Sequence, residues 1–175
     1  MPVTPFHFGA GLAGKAALPR RFGLLAFCAA NIIIDVEPLY YALTGQYPLH
    51  RFLHTLPGAL VASLLTVVLF WLMRSAWTWL RLSQDLIRLE LHPSAVWLGA
   101  LSGAFSHVLF DSVVHGDVHP FSPLSQLNPF LDWFTIGQVQ GFLTLLGFFG
   151  IAGWVFRTFL RPSRKSAFEP FDKNP

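Results

Sequence analysis

Histidine and aspartate recur one helical turn apart in this sequence of 175 residues. His50 and His54 are four positions apart. Asp111 has His107 four positions before it and His115 four positions after it. On a helix such pairs share one face, with Cβ atoms about 5–6 Å apart, so one pair can bind one metal ion, as the two histidines of HExxH do. Imidazole suits zinc and iron, and carboxylate suits manganese. The spacing predicts a divalent metal site, with zinc favoured and manganese or iron as alternatives.

The segments that carry these residues are strongly apolar. Apolar residues make up 53% of the chain and Asp, Glu, Lys and Arg only 12%, about half the usual charged share of about 25%. This composition argues against a disulfide scaffold, a nucleic-acid-binding module and an ordinary soluble globule, and it indicates a polytopic membrane protein. We expect an all-α fold with four membrane-spanning helices, at residues 22–43, 57–73, 95–115 and 137–156.

Two further helices are predicted beside the spans. The first covers residues 4–18 and begins at Thr4 and Pro5; some 14 helical residues reach only about 21 Å, which predicts a partly inserted or interfacial helix. The second is an amphipathic helix in the cytoplasmic loop at residues 74–92, with Trp77 and Trp79 at headgroup level. Residues 1–160 then form one membrane-embedded domain, and residues 161–175 form a flexible tail.

The basic residues predict the orientation of the spans. If the segment before the first span, the loop between the second and third spans and the C-terminal tail are cytoplasmic, eleven of the twelve Lys and Arg residues lie inside. Only Arg51 lies outside. This arrangement predicts a cytoplasmic C-terminus and outward-facing loops at residues 43–56 and 116–136.

Four ionisable residues lie in the interior of two of the predicted spans. Each costs at least about 2.5–3.5 kcal/mol in a bilayer, so such a residue is by default functional. Asp35 and Glu37 are in the first span, and His107 and Asp111 are in the third. Both spans run outward, which brings the four residues to a similar depth near the outer leaflet. The alternative to a metal site is a proton relay or ion pathway in a small transporter, and a third reading is a metal that only braces the helices.

Four motifs follow one another along the chain: PFHFGAG, NIIIDVEP, HRFLHT and SHVLFDSVVHG. In this order they resemble the family of bacterial inner-membrane proteins described as membrane-bound metal-dependent hydrolases, over roughly residues 3–125. The family usually has Asp-x-Asp where this chain has Asp35-Val36-Glu37, and often a glycine where it has Phe52. The resemblance implies a multi-pass inner-membrane location and the metal ligands His7, Asp35, His50, His54, His107 and Asp111.

These observations lead to one functional hypothesis, a metal-dependent hydrolase whose site opens toward the outer leaflet. A metal ion can supply hydroxide at neutral pH, and Glu37 or His115 is a candidate general base. Arg51 is suited to bidentate binding of a substrate phosphate. The depth of the site favours a phospholipid or another amphipathic ester as substrate. The lipid bilayer is the expected partner, no nucleic acid is expected, and the oligomeric state is left open.

Overall fold

The chain is all-helical over the residues that the computed structural model describes, 4–80 and 90–159. Five α-helices follow one another: α1 (Phe8–Ala17), α2 (Leu24–Leu43), α3 (Leu56–Trp79), α4 (Pro93–Val114) and α5 (Ile136–Phe159). Short 3-10 turns precede α1 at Thr4–Phe6 and α3 at Phe52–His54. Helices α2 to α5 are long and apolar enough to cross a membrane. The predicted fold class and the four predicted spans are confirmed.

The outer faces of these helices are covered with large apolar side chains. Leu65 and Trp71 on α3 are 52% and 65% exposed, and Phe148 and Phe149 on α5 are 66% and 65% exposed. Continuous apolar surface of this extent is rare on soluble monomers and is what a helix presents to lipid. The surface therefore agrees with a membrane protein.

The amphipathic helix predicted at residues 74–92 does not begin at residue 74, because α3 continues to Trp79. Trp77 and Trp79 belong to the last turn of α3, which runs on through Arg74. No glycine or proline interrupts residues 74–79, so nothing ends the helix there. Residues 90–92 at the end of that predicted helix are not helical, and residues 81–89, like the predicted tail at residues 161–175, lie outside the described residues.

The start of α3 is set by a local capping motif. The hydroxyl of Thr55 accepts a hydrogen bond from the backbone N–H of Gly58 at 3.0 Å, which satisfies one of the free donors at a helix N-terminus. Pro57 lies in the first turn, where its missing N–H has no intrahelical partner to lose. The motif fixes the end of the bundle at which α3 begins, and His54 lies there in the turn just before the cap.

Helices α2 and α4 run parallel and approach closely along a row of small residues. The backbone N–H of Gly23 on the α2 side donates to the Ala95 carbonyl of α4 at 3.0 Å. A Cβ added at Gly103 would lie 2.6 Å from the Phe27 carbonyl oxygen, and a Cβ added at Gly99 would collide with the Gly23 carbonyl. The small-residue row consists of Ala95, Gly99 and Gly103.

The small-residue row continues into the ionisable residues of α4. One turn beyond Gly103 lies His107, and one turn beyond that lies Asp111, both buried. Residues four apart share a helix face, so the face that packs against α2 is also the face that carries these two side chains. The close approach of the backbones thereby determines how α2 and α4 present polar groups to each other.

Helix α1 packs against α5 in the same close manner. A Cβ at Gly9 would collide with the Leu143 carbonyl, and one at Gly150 would lie 2.6 Å from the backbone nitrogen of Ala13. Its 10 residues extend about 15 Å, too short to span a hydrocarbon core. Lying alongside a spanning helix, α1 agrees with the partly inserted helix predicted from the sequence.

The two ends of the bundle differ in chemistry. At one end Lys15 pairs with Glu90, Arg74 donates to the Leu91 carbonyl at 3.2 Å, and Arg157 donates to the Ala16 carbonyl at 2.5 Å. At the opposite end α2 and α4 finish, α3 and α5 begin, and the buried histidines gather. These three basic residues and the buried histidines thus lie at opposite ends of the bundle.

Candidate metal centre

Asp111 stands at the centre of the histidine cluster. Its side chain is buried, with 2% of the residue exposed. Its Oδ2 lies 3.2 Å from His107 Nε2 and 3.4 Å from His54 Nε2, and its Oδ1 lies 3.3 Å from His7 Nε2. The three imidazoles come from α4, from the turn before α3 and from the residue before α1. One carboxylate therefore ties together three separated parts of the chain.

Helix α2 supplies a second carboxylate to the same cluster. Asp35 Oδ1 lies 3.2 Å from His107 Nε2, the atom that also faces Asp111. A stacked imidazole pair closes the cluster on the side of the N-terminal segment, because His7 lies over His107 with 4.3 Å between ring centroids. His7, Asp35, His54, His107 and Asp111 are thereby brought together.

Glu37 holds His54 in place. Its Oε2 accepts hydrogen bonds from the backbone N–H groups of Arg51 and Leu53, both at 3.0 Å, and lies 3.5 Å from His54 Nδ1. These bonds shape an irregular segment and a 3-10 turn, so the assumption that His50 and His54 share one face of a regular helix is wrong. Their rings still meet edge-on, with 4.5 Å between centroids.

Four donor residues are arranged closely enough to hold one ion. One ligand atom from each lies within 4.8 Å of the others. Zinc bonds of about 2.0–2.2 Å imply tetrahedral donor-to-donor edges of about 3.3–3.6 Å, and the 3.2, 3.2 and 3.4 Å separations around Asp111 and His107 are close to this range. Imidazole nitrogens with carboxylate oxygens are a common zinc donor set. The four-residue group is Asp35, His54, His107 and Asp111.

The buried nitrogens of this group face oxygen atoms without conventional hydrogen bonds. Within the described chain, both nitrogens of His54, Nε2 of His107 and Oδ1 of Asp111 have no hydrogen-bond partner. Burial disfavours a charge on His54, but Asp111 and Glu37 outweigh burial and raise its pKa. The site therefore favours a cation between these groups, either a proton or a metal ion.

Asn31 determines which nitrogen of His107 faces the cluster. Its side-chain amide donates to the Phe27 carbonyl at 2.8 Å, and its Oδ1 lies 2.9 Å from His107 Nδ1. Since that oxygen can only accept, Nδ1 carries a proton, and Nε2 is the nitrogen that faces the carboxylates and can bind a metal ion. An orienting hydrogen bond on the far nitrogen is typical of metal-bound histidine. The sequence interpretation missed Asn31 because it considered only ionisable residues; its signal is an amide one turn before Asp35 in an apolar helix.

Replacing Asn31 by leucine should weaken metal binding without unfolding the protein. The change removes the acceptor for His107 Nδ1 and leaves the ligands in place, and loss of such an outer partner typically costs about 10–100-fold in metal affinity. Competition with a chromogenic zinc chelator would measure the affinity. Thr66→Val is the matched control, since Thr66 is also fully buried and hydrogen-bonded to a helix carbonyl at 2.8 Å; equal losses in the two variants would contradict the orienting role.

A second group of donors lies beside the first. His50, Asp111 and His115 bring one ligand atom each within 4.8 Å of one another, and the His50 and His115 rings stack at 4.6 Å. Asp117 anchors His50, with its Oδ1 2.8 Å from Nδ1 and its Oδ2 accepting from the backbone N–H groups of His50 and Leu49 at 3.2 and 3.0 Å.

The protonation states of this second group suit metal binding. Burial, reinforced by the neighbouring His54, lowers the pKa of His50 in spite of Asp117. Burial also lowers the pKa of His115. Burial works against ionisation of Asp117, but its hydrogen bonds from His50 outweigh this and lower its pKa. Near pH 7 both imidazoles are neutral, the form that ligates metals, and the carboxylate is charged.

Arg51 and His92 lie outside both donor groups. The guanidinium of Arg51 stacks 3.6 Å from the centre of the Tyr41 ring, and its Nε donates to the Pro48 carbonyl at 3.0 Å. His92 is exposed at the start of α4, with Nδ1 2.9 Å from the Ser94 hydroxyl. Arg51 lies at the same end of the bundle as the histidine cluster, and its backbone N–H donates to Glu37.

No protein-family model matches the chain, and no curated protein or solved structure matches it either. The resemblance to membrane-bound metal-dependent hydrolases therefore stays a prediction, and the geometry of the cluster carries the functional argument.

Proposed function

We propose that the chain is a membrane-bound metal-dependent hydrolase. The observation that carries this proposal is the group of Asp35, His54, His107 and Asp111, in which three residues are buried and one imidazole or carboxylate atom from each residue lies within 4.8 Å of the others. Zinc suits this mixed nitrogen and oxygen donor set best, and manganese or iron is the alternative.

The chain's own residues would divide the work as follows. Asp35, His54, His107 and Asp111 would hold the ion, while Asn31 and Glu37 orient two of the imidazoles. A bound metal lowers the pKa of its water to about 7 and polarises the bond to be cleaved. His7 is buried with no hydrogen-bond partner for either ring nitrogen within the described chain, and it is placed to bind the ion beside Asp111.

A crevice in the side of the bundle supports an amphipathic substrate. Asp35 is only partly buried and lines a cavity of about 260 Å³ between the N-terminal segment and α2. Every other residue lining this cavity is apolar: Pro5, Phe8, Ile32, Val36 and Leu39. A polar headgroup could reach Asp35 through this opening while its hydrocarbon part stays in lipid.

A larger cavity, walled in part by Phe110, is a second place where the hydrocarbon part of such a substrate could lie. Its volume is about 510 Å³, and Gln138 is the single non-aromatic polar residue among its lining side chains. Phe110 forms part of its wall and packs against the His7 ring, with 6.1 Å between centroids. Apolar cavities with few polar groups are typical of lipid-like ligands, so we favour a phospholipid or another amphipathic ester.

The orientation belongs to the same proposal. The basic end of the bundle would face the cytoplasm of a bacterial inner membrane, together with the C-terminus, following the positive-inside rule. The cluster would then open toward the outer leaflet.

Asp35→Asn should abolish hydrolysis while the protein still inserts. The change keeps size and hydrogen-bonding capacity but removes a charged donor, and loss of an intramembrane charge makes insertion easier. Detergent-purified protein would be measured for bound zinc, manganese and iron, and for hydrolysis of phospholipids and carboxyl esters in mixed micelles. We expect both to fall together, with His92→Ala unchanged.

Two results separate the competing functions, and a third tests the place of Asp35 in the site. Wild-type protein that stays metal-free after metals are supplied would point to a proton relay built on the same groups. Protein that holds metal tightly but turns over no phosphate or carboxyl ester would point to a metal that only braces the helices. Full metal and activity in Asp35→Asn would remove Asp35 from the site.

A further inference from the structure

Asp111 is a member of both donor groups. The first group contains it with Asp35, His54 and His107, and the second contains it with His50 and His115. Because the two groups otherwise share no residue, they offer two separate ion positions that meet at one carboxylate. We infer that the protein binds two divalent metal ions, with Asp111 as the shared ligand and His50 and His115 holding the second ion. This inference rests on the proposed metal centre and extends it.

The two oxygens of Asp111 are used unequally by the first group. Oδ2 lies within 3.4 Å of both His54 and His107, whereas Oδ1 is buried and has no hydrogen-bond partner within the described chain. A carboxylate can give one oxygen to each of two ions, as in enzymes whose metals lie about 3.5–4 Å apart. Oδ1 faces His7 Nε2 at 3.3 Å without a conventional hydrogen bond, and it is the oxygen left for the second ion.

The histidines of the second group are prepared as ligands. Asp117 is 2.8 Å from His50 Nδ1, and because an ionised carboxylate only accepts, that nitrogen carries the proton and Nε2 carries the lone pair. This carboxylate–histidine arrangement is the usual outer shell of a metal ligand. His115 Nε2 is buried without a hydrogen-bond partner in the described residues, which leaves it for an ion.

The charges of the cluster agree with two ions rather than one. Four buried or partly buried carboxylates lie in or against the two donor groups, and keeping that much negative charge together without compensation is very costly. Two divalent ions carry the same amount of positive charge, whereas one ion would leave half of it uncompensated. The four carboxylates are those of Asp35, Glu37, Asp111 and Asp117.

Manganese loading of the full chain tests this inference. Detergent-purified protein would be stripped with a chelator, supplied with Mn²⁺ alone and freed of excess by gel filtration. We expect two Mn²⁺ per chain and an electron paramagnetic resonance spectrum of coupled ions, because ions that share a carboxylate interact magnetically. His115→Ala should bind one Mn²⁺ and give the spectrum of an isolated ion.

Two further variants keep the result interpretable. His119→Ala, in the same loop but outside both donor groups, should retain two coupled ions. His50→Ala should repeat the loss of one ion, and circular dichroism with gel filtration shows whether either ligand variant has misfolded. A wild-type protein with one Mn²⁺, unchanged in both ligand variants, would overturn the second ion and leave the proposed hydrolase intact. A wild-type protein that binds no metal would overturn both.

Discussion

Asp111→Asn should release all bound metal from the protein and abolish hydrolysis. Asp111 contacts three imidazoles and belongs to both donor groups, so an amide there removes a charged ligand from each ion position at once. Loss of a residue that only orients a ligand lowers metal affinity by up to about 100-fold. We expect a larger fall here, because Asp111 is itself a ligand. Elemental analysis of purified protein, paired with turnover of the best micellar substrate, measures both quantities.

The control for this change is Asp132→Asn. Asp132 is an exposed aspartate in the loop at the same end of the bundle, so the substitution has the same chemistry without the cluster. It should leave metal content and turnover at wild-type values. If Asp111→Asn instead kept its metal, the carboxylate would be an acceptor for imidazole protons and the metal hypothesis would lose its central ligand.

Gly103→Leu should destabilise the bundle and disrupt the metal centre together. A Cβ at this position would lie 2.6 Å from the Phe27 carbonyl and 3.1 Å from the Asn31 amide nitrogen, so a larger side chain must push α2 away from α4. Overpacking of this kind costs about 1–3 kcal/mol or more. It should also separate Asn31 and Asp35 from His107. Thermal unfolding in detergent, followed by circular dichroism, and metal content are the two measurements.

Gly141→Leu is the matched control because the same substitution meets open space. Nothing lies within 4 Å of a Cβ at Gly141 on α5, and that face is exposed. Its unfolding temperature and metal content should stay close to wild type. Equal destabilisation by both variants would show that leucine disfavours these helices for reasons unrelated to the contact between α2 and α4.

The sequence was sufficient to predict the spans because long apolar runs have few alternatives to helices in lipid. The four predicted spans differ from α2 to α5 mainly at their ends, and the largest difference is the continuation of α3 to Trp79. That boundary was missed because the amphipathic pattern after Arg74 is helical in both interpretations, and a pattern does not reveal where one helix stops.

The candidate site was less predictable than the spans. His107 and Asp111 were recognisable because a regular helix converts spacing into a shared face. His50 and His54 lie in an irregular segment held by Glu37 and Asp117, so their separation in the sequence says little about their separation in space. His54 belongs to the first donor group and His50 to the second. This division depends on contacts with side chains of α2 and of the loop after α4, which a local sequence pattern does not reveal.

The small-residue row of α4 also determines the direction in which the ligand side chains of this helix point. Packing against α2 fixes the rotation of the helix at Gly99 and Gly103, and the ligands follow after one and two further turns. Inserting or deleting a single residue between Gly103 and His107 would turn everything beyond it by about 100°. Such a change would leave the hydropathy of the span nearly untouched, yet direct both ligands away from the cluster. This short stretch should therefore tolerate substitutions of its lipid-facing residues far better than any change in its length.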